Sequence, residues 1–223
     1  MIKLETELWD KGINYIAGVD EVGRGPLAGP LVVSAVVLDK NKLLKIRREV
    51  IRNNDIGNQK NRLYTQINDS KLLQPKLRRE IEQFLISEQI TYSITIISPD
   101  KIDKWGISKS TQIAFFRSVK QLNIKPDHII TDMFRIRKIP KKYQTNIKKA
   151  DTESITVAAA SILAKVYRDN IMINAHNKYP LYGFDAHKGY GTKKHIEAIH
   201  KYGICDIHRK SFEPIKSILS GSL

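Results

Sequence analysis

The sequence predicts an α/β protein, a mixed sandwich of sheet and helices, on three observations. Apolar runs bounded by glycine and proline alternate along the chain with amphipathic stretches at helical spacing. The chain has 223 residues, enough for one domain with a sizeable core. Hydrophobic residues make up 41% and charged residues 27%, a globular balance that argues against wholesale disorder.

Taken in order, the run Asn14 to Asp20 reads as a strand that enters a Gly/Pro-rich turn, Gly23 to Pro30. Leu31 to Leu38 is continuously apolar and reads as a buried strand. From Lys40 to Gln66 the chain turns polar and basic; Lys42 to Arg52 suits a surface helix, and Asn53 to Asn58 carries a loop signal. Pro75 suits the first position of an amphipathic helix over Lys76 to Ser87. Gln89 to Ile97 alternates and is rich in Ile, Tyr and Thr, so it predicts a strand. Ser98-Pro99-Asp100 starts a short helix, and a longer one follows near Ser108 to Leu122. His128 to Thr131 is a short strand ending in Asp132, followed by a basic loop from Arg135 to Lys149. The best helical segment runs from Thr152 to Ala175, and another from Lys193 to Tyr202 with Gly203 as its stop. There is no internal repeat.

Charge narrows the partner. Thirty-eight Lys and Arg against 23 Asp and Glu give a net +15 and a pI near 9.8. Such an excess predicts a polyanion: nucleic acid, a phosphorylated substrate or an anionic membrane surface. The single cysteine, Cys205, can form neither an internal disulfide nor a Cys-based zinc site, which predicts a reducing compartment. No run approaches the roughly 18 apolar residues of a membrane span. A cytoplasmic protein without membrane association is expected.

In so basic a chain the placement of the acids stands out. Asp20-Glu21 closes a strand before a glycine turn, Asp132 closes another, and Asp151 precedes the best helix. Carboxylates at strand ends and a helix start can converge, and like charges so gathered raise one another's pKa until a divalent cation compensates. Magnesium and manganese take oxygen ligands of this kind. The same residues also have ordinary uses: Asp151 before Thr152 suits an N-cap, and Asp169 a salt-bridged helix position. The carboxylates alone leave both readings open.

The motifs around them carry a resemblance. Gly18-Val19-Asp20-Glu21-Val22-Gly23-Arg24-Gly25-Pro26-Leu27-Ala28-Gly29-Pro30 resembles the signature of ribonuclease HII, the type 2 ribonuclease H family, and five further matches follow in family order. These are Asn68-Asp69-Ser70-Lys71-Leu72, Lys149-Ala150-Asp151, the helix Ala158 to Asp169, His187 to His195 around Gly189-Tyr190-Gly191, and His208-Arg209-Lys210-Ser211-Phe212-Glu213-Pro214, the bacterial-type ending. Together they span about Tyr15 to Lys216. Where the family usually has Asp-Gly, this chain has Asp132-Met133.

The resemblance implies an RNase H-like fold, a mixed sheet flanked by helices, in one catalytic domain: a core over about 15–175, a helical carboxy-terminal part over about 176–223, and residues 40–66 as a basic insertion. It implies that Asp20, Glu21, Asp132 and Asp151 are catalytic and hold two divalent ions, Mn²⁺ or Mg²⁺. The reaction it implies is hydrolysis of the phosphodiester 5′ to a ribonucleotide, in RNA/DNA hybrids or at single ribonucleotides in duplex DNA, leaving 3′-hydroxyl and 5′-phosphate ends. Gly23, Arg24 and Gly25 would read the 2′-hydroxyl, with Arg24 also near phosphate. Tyr190 would stack on the deoxyribose at the ribonucleotide-to-deoxynucleotide junction. Ser70 and Lys71 would contact phosphate, with Lys165 and Arg168 as further candidates. His187, His195 and His208 are expected to be structural, Ala158 to Ser161 a close-packing helix face, and the protein a monomer.

Two other functions compete. A non-catalytic nucleic-acid-binding module explains the +15 but not four placed carboxylates. A nuclease or recombinase of the same fold acting on pure DNA has no use for the Gly-Arg-Gly turn or Tyr190. The type 3 ribonuclease H normally carries a long amino-terminal substrate-binding domain; about 17 residues precede the first motif here, so type 2 is expected.

Overall fold

The computed structural model describes residues 2–53 and 59–221. The main elements are α1 (Lys3–Asp10), β1 (Ile16–Val22), β2 (Leu31–Val37), α2 (Lys40–Asn53), α3 (Gln59–Gln66), α4 (Pro75–Ser87), β3 (Thr91–Ile97), α5 (Pro99–Trp105), α6 (Ile107–Lys120), β4 (His128–Asp132), β5 (Gln144–Ile147), α7 (Ile155–Lys178), α8 (Phe184–His187), α9 (Lys193–Tyr202) and α10 (Ile215–Leu219). The strands form one mixed sheet in the order β3-β2-β1-β4-β5. The pairs β1/β2 and β2/β3 are antiparallel, whereas β1/β4 and β4/β5 are parallel.

Alternation along the strands divides the core into two layers. Ala17, Val19, Val33 and Ala35 face α5 and α6, where Ile102, Ala114 and Phe115 are fully buried. Ile16, Val36 and Ile130 face the other way, onto α7 and α4. On that face Gly18 lies directly under α7: a Cβ there would enter the backbone of Thr156 and Val157. Glycine is required by this close approach, which brings α7 down onto β1 at the level of Asp20. Ala158, Ala159 and Ala160 are fully buried in the same contact. A third cluster, Leu27, Ala28, Met172, Tyr182, Phe184, Ile199 and Ile215, fastens the carboxy-terminal elements to the Gly/Pro-rich turn and to α7.

Several expectations shift. The long helix starts three residues later than predicted and is capped by Ser154, whose hydroxyl accepts from the Val157 N–H, so Asp151 is not its N-cap. The basic loop after Asp132 contains β5, a strand whose Gln-Thr-Asn-Ile pattern is too short and polar to announce itself. The helix α1, also unannounced, buries Glu5, whose Oε1 accepts from the hydroxyls of Ser154 and Thr156 and from the Thr156 N–H, closing the open start of α7. Residues 40–66 do more than cover a surface: Leu43, Ile46, Leu63 and Tyr64 pack into the α7-side core. Residues 54–58 of the expected loop lie outside the described residues.

Candidate active site

Because β1 and β4 are parallel neighbours, Asp20 and Asp132 lie side by side at the carboxy-terminal ends of the two strands, with Glu21 next to the first. Asp151 arrives from the short helical turn Ala150–Thr152 ahead of α7. The Asp132 Oδ1 accepts the backbone N–H groups of Lys149 (2.6 Å) and Ala150 (3.2 Å), tying the segment that carries Asp151 to the end of β4. Met133 takes φ +60°, the left-handed region that disfavours a residue with a Cβ. That is a backbone reason for glycine to be usual after this aspartate, and it supports the match at Asp132.

The carboxylates feel one another. Asp20 is 6% exposed, and burial pushes its pKa up to about 7, with Asp151 and Asp132 adding to the rise against hydrogen bonds from the Ser161 hydroxyl and the Glu21 N–H. Burial pushes Glu21 up to about 8, with Asp20 and Asp132 contributing; Arg24, whose Nη1 lies 3.6 Å away, opposes the shift. Asp151 is raised by burial, by Asp69 and by Asp132. Lys71 faces the same group: burial lowers its pKa, but Asp69, Asp20, Asp151 and Asp132 together prevail and raise it. Asp69 is therefore a fifth acid of the site, one that the Asp-Ser-Lys match contained but did not single out.

The donor set is all oxygen, suited to a hard divalent cation. The Glu21 Oε2 is buried without a hydrogen-bond partner, an acceptor that a cation would satisfy. Among the described residues no group of three or more His, Cys, Asp or Glu side chains stands close enough together to hold a metal ion as it is. Repulsion among neighbouring carboxylates opposes such closeness until a cation compensates it.

The glycine turn stands next to these acids. Gly23 has φ +96°, and a Cβ on it would collide with the Arg168 side chain and the Pro30 carbonyl. Gly25 is exposed, and a Cβ there would meet nothing, so packing within the protein does not demand glycine at that position. The Arg24 guanidinium lies 4.0 Å over the Phe134 ring. Tyr190 is 43% exposed on a loop joined directly to the turn: the Leu27 and Ala28 N–H groups donate to the Gly189 carbonyl.

The histidines brace that loop. His187 Nδ1 accepts the Gly189 N–H and His208 Nδ1 accepts the Cys205 N–H, so both carry their proton on Nε2. His208 then donates to His195 Nε2 (3.1 Å), and His195 Nδ1 donates to the Tyr190 carbonyl (2.9 Å). All three are neutral: burial lowers His187 and holds His195 and His208 down to about 4.

Other side chains turn inward. Ser70 is buried, its hydroxyl 2.8 Å from that of Ser161, so it anchors the Asp69–Lys71 turn to α7. Lys165 pairs with Asp169 at 2.8 Å, and Asp169 also takes Arg78. Arg168 is fully buried and donates to the carbonyls of Ala28, Pro30 and Lys188. Neither Lys165 nor Arg168 presents a free cation to phosphate, which corrects their expected role; burial of stem and head beside better partners is the reason. Excess positive charge also gathers elsewhere. A groove of about 1100 Å³ lined by Lys11, Lys120, Lys125, Lys138 and Lys142 lies at the opposite ends of β1 and β4. No helix among the described residues is long and apolar enough to cross a membrane.

Comparison with known proteins agrees with this geometry. The family model described as ribonuclease HII matches residues 17–52 and 56–215. A ribonuclease HII of Chlamydia caviae is 41% identical over 217 residues, covering 96% of this chain and 92% of its own. One from Acholeplasma laidlawii is 39% identical over 218 residues, covering 98% and 96%. Among solved structures, the ribonuclease H2 of Pyrococcus horikoshii superposes with a TM-score of 0.71 at 28% identity, over 93% of this chain and 98% of that one. A Bst ribonuclease HIII in complex with Mn²⁺ shares the fold at a TM-score of 0.62 and 22% identity, over 94% of this chain and 70% of that one.

Proposed function

The chain belongs to the ribonuclease HII family, and from that premise we propose that it cuts the phosphodiester 5′ to ribonucleotides, in RNA/DNA hybrids and at single ribonucleotides within duplex DNA. The observation that carries this reading is the adjacency of two devices. A cluster of carboxylates, among them Asp20 and Glu21 with pKa values raised first by burial and then by neighbouring acids, stands beside a glycine turn that is open at Gly25 and braced to the Tyr190 loop.

Asp20, Glu21, Asp132 and Asp151 would hold two divalent ions, Mn²⁺ or Mg²⁺. Bound there, such ions supply a water of lowered pKa for in-line attack and stabilise the departing 3′ oxygen. Fully ionised, as they must be to hold two cations, the four carboxylates bring −4, and the scissile phosphate is welcome only when that charge is offset. Lys71, which already faces these acids, supplies a fixed cation beside the phosphate. Ser70 acts from beneath, holding the Asp69–Lys71 turn through Ser161. The neutral histidines are committed to backbone partners, so proton transfer in the reaction falls to water and the carboxylates.

Telling RNA from DNA rests on the 2′-hydroxyl, which both donates and accepts hydrogen bonds. Gly23, Arg24 and Gly25 offer backbone groups at a place where no Cβ blocks a sugar, and Arg24 adds charge near phosphate. The half-exposed Tyr190 ring stacks on the next deoxyribose while its hydroxyl reaches the 2′-hydroxyl. A nuclease for pure DNA would need neither device.

The test is a nicking assay on a duplex carrying one ribonucleotide, beside an all-DNA duplex of the same sequence. With Mn²⁺ or Mg²⁺ the ribonucleotide strand should be cut once, on its 5′ side, and the DNA duplex left intact. Tyr190→Ala should slow that cut by roughly 5–150-fold, the equivalent of losing one stacking contact of about 1–3 kcal/mol in the transition state. Cutting of the all-DNA duplex with the ribonucleotide duplex spared would overturn the proposal.

A further inference from the structure

Arg209 lies in the segment between α9 and α10, far along the chain from the glycine turn, yet its guanidinium is spent on that turn. Nη1 donates to the Arg24 carbonyl (3.0 Å), Nη2 to those of Gly23 (2.6 Å) and Gly29 (2.8 Å), and Nε again to Gly29 (3.0 Å). The side chain is fully buried, and the Phe212 ring closes one face of the guanidinium at 4.9 Å. Among the described residues no carboxylate is within ion-pairing distance of it. A buried cation with carbonyls as its only acceptors is costly to keep, which calls for a return elsewhere.

The return follows from peptide geometry. In a planar trans peptide the C=O of one residue and the N–H of the next point in opposite directions. Fixing the Gly23 and Arg24 carbonyls inward on Arg209 therefore aims the N–H groups of Arg24 and Gly25 outward, at the open face beside exposed Gly25. Among the described residues neither N–H has a protein acceptor. Arg168 fixes the far side of the same turn through Ala28 and Pro30.

We propose that Arg209 is the positioning residue for sugar recognition: by holding two carbonyls inward it presents two amide donors to the 2′-oxygen of a ribonucleotide, and so sets preference for ribose over deoxyribose. This rests on the functional reading above. It also gives the carboxy-terminal segment a part in specificity, since the clamp comes from there.

Lysine is the informative replacement, because it keeps the charge but lacks the planar fork that reaches three carbonyls at once. Binding is measured by fluorescence anisotropy with Asp20→Asn in every protein, so that nothing is cut, on a single-ribonucleotide duplex and its all-DNA counterpart. Arg209→Lys should lower the preference for the ribonucleotide duplex at least tenfold while affinity for the all-DNA duplex stays within twofold. A purely structural role would lower both affinities together or neither; a preserved preference overturns the clamp. Should Arg209→Lys not fold, Phe212→Leu keeps the guanidinium but removes the ring against it, and a severalfold loss of preference is expected; no loss overturns the proposal. Wild-type protein that leaves the ribonucleotide duplex uncut would overturn the functional reading instead, so the two failures are distinct.

Discussion

Without a divalent ion, the protein should lose stability as pH rises through neutrality. Asp20 and Glu21 carry folded-state pKa values of about 7 and about 8, above the ordinary 3.8 and 4.5, with burial as the leading cause. A carboxyl with a raised folded pKa binds more protons folded than unfolded, so its contribution is full below the unfolded pKa and is lost as pH rises through the folded one. His195 and His208, held down to about 4, act in the opposite sense, adding stability as pH rises toward 6.5. The clean window is therefore pH 6.5 to 8. Each carboxyl contributes up to about 1.4 kcal/mol per pH unit while it is protonated only in the folded state. Glu21 does so over most of that window and Asp20 over its lower part, for a combined loss on the order of 2 kcal/mol. In a chain of this size that is roughly 4–8 °C of Tm. Thermal unfolding in EDTA at pH 6.5, 7.25 and 8 reads the fall directly. Asp20→Asn should melt higher than wild type at pH 8 in EDTA, and Mn²⁺ should raise the Tm of wild type but not of the variant. A wild-type Tm that is level or rising from pH 6.5 to 8, with Asp20→Asn no more stable, would show that burial does not hold these acids protonated until a cation arrives.

Two other substitutions test the backbone beneath the site. Met133→Gly relieves a left-handed residue whose side chain is 59% exposed, so little packing is lost and stability should rise by about 0.5–1 kcal/mol, a Tm gain of roughly 1–4 °C; a lower Tm would contradict the strain. Gly18→Ala forces a methyl into the Thr156–Val157 backbone and should cost about 1–3 kcal/mol in urea denaturation, with nicking reduced because α7 and the Asp20 level of β1 must separate; an unchanged midpoint would show that α7 yields freely.

The family signature and the order of strands and helices were legible because the core strands are long and apolar and the glycines sit where turns must be. Helix α9 falls on Lys193–Tyr202 as its pattern and Gly203 foretold. What escaped notice shares one cause: partners distant in sequence. β5 is a strand because β4 offers it a parallel edge, not because Gln-Thr-Asn-Ile favours one. Nothing near Glu5 in the sequence marks it for burial; its partners are Ser154 and Thr156, 149 and 151 residues on, at the start of α7. Arg168 and Arg209 look like phosphate contacts or surface charge in a basic chain, and only the folded turn shows seven hydrogen bonds to carbonyls. Within the site, Asp20 and Glu21 were visible from their motif, whereas Asp69 emerged only from its proximity to Asp151. The +15 was a sound guide to a polyanion and a poor guide to place, since five lysines of that excess line a groove at the other end of the sheet.

We propose that Asp132, followed by Met133 where the family usually has glycine, works with Asp20, Glu21 and Asp151 as one cleavage centre. The direct measurement is single-turnover nicking of the single-ribonucleotide duplex by Asp132→Asn in Mn²⁺, with duplex affinity measured alongside. If the four carboxylates act together, cutting falls by on the order of 10³-fold, the several kcal/mol that divalent-ion catalysis contributes, while the duplex still binds. Cutting at the wild-type rate would place the reaction elsewhere.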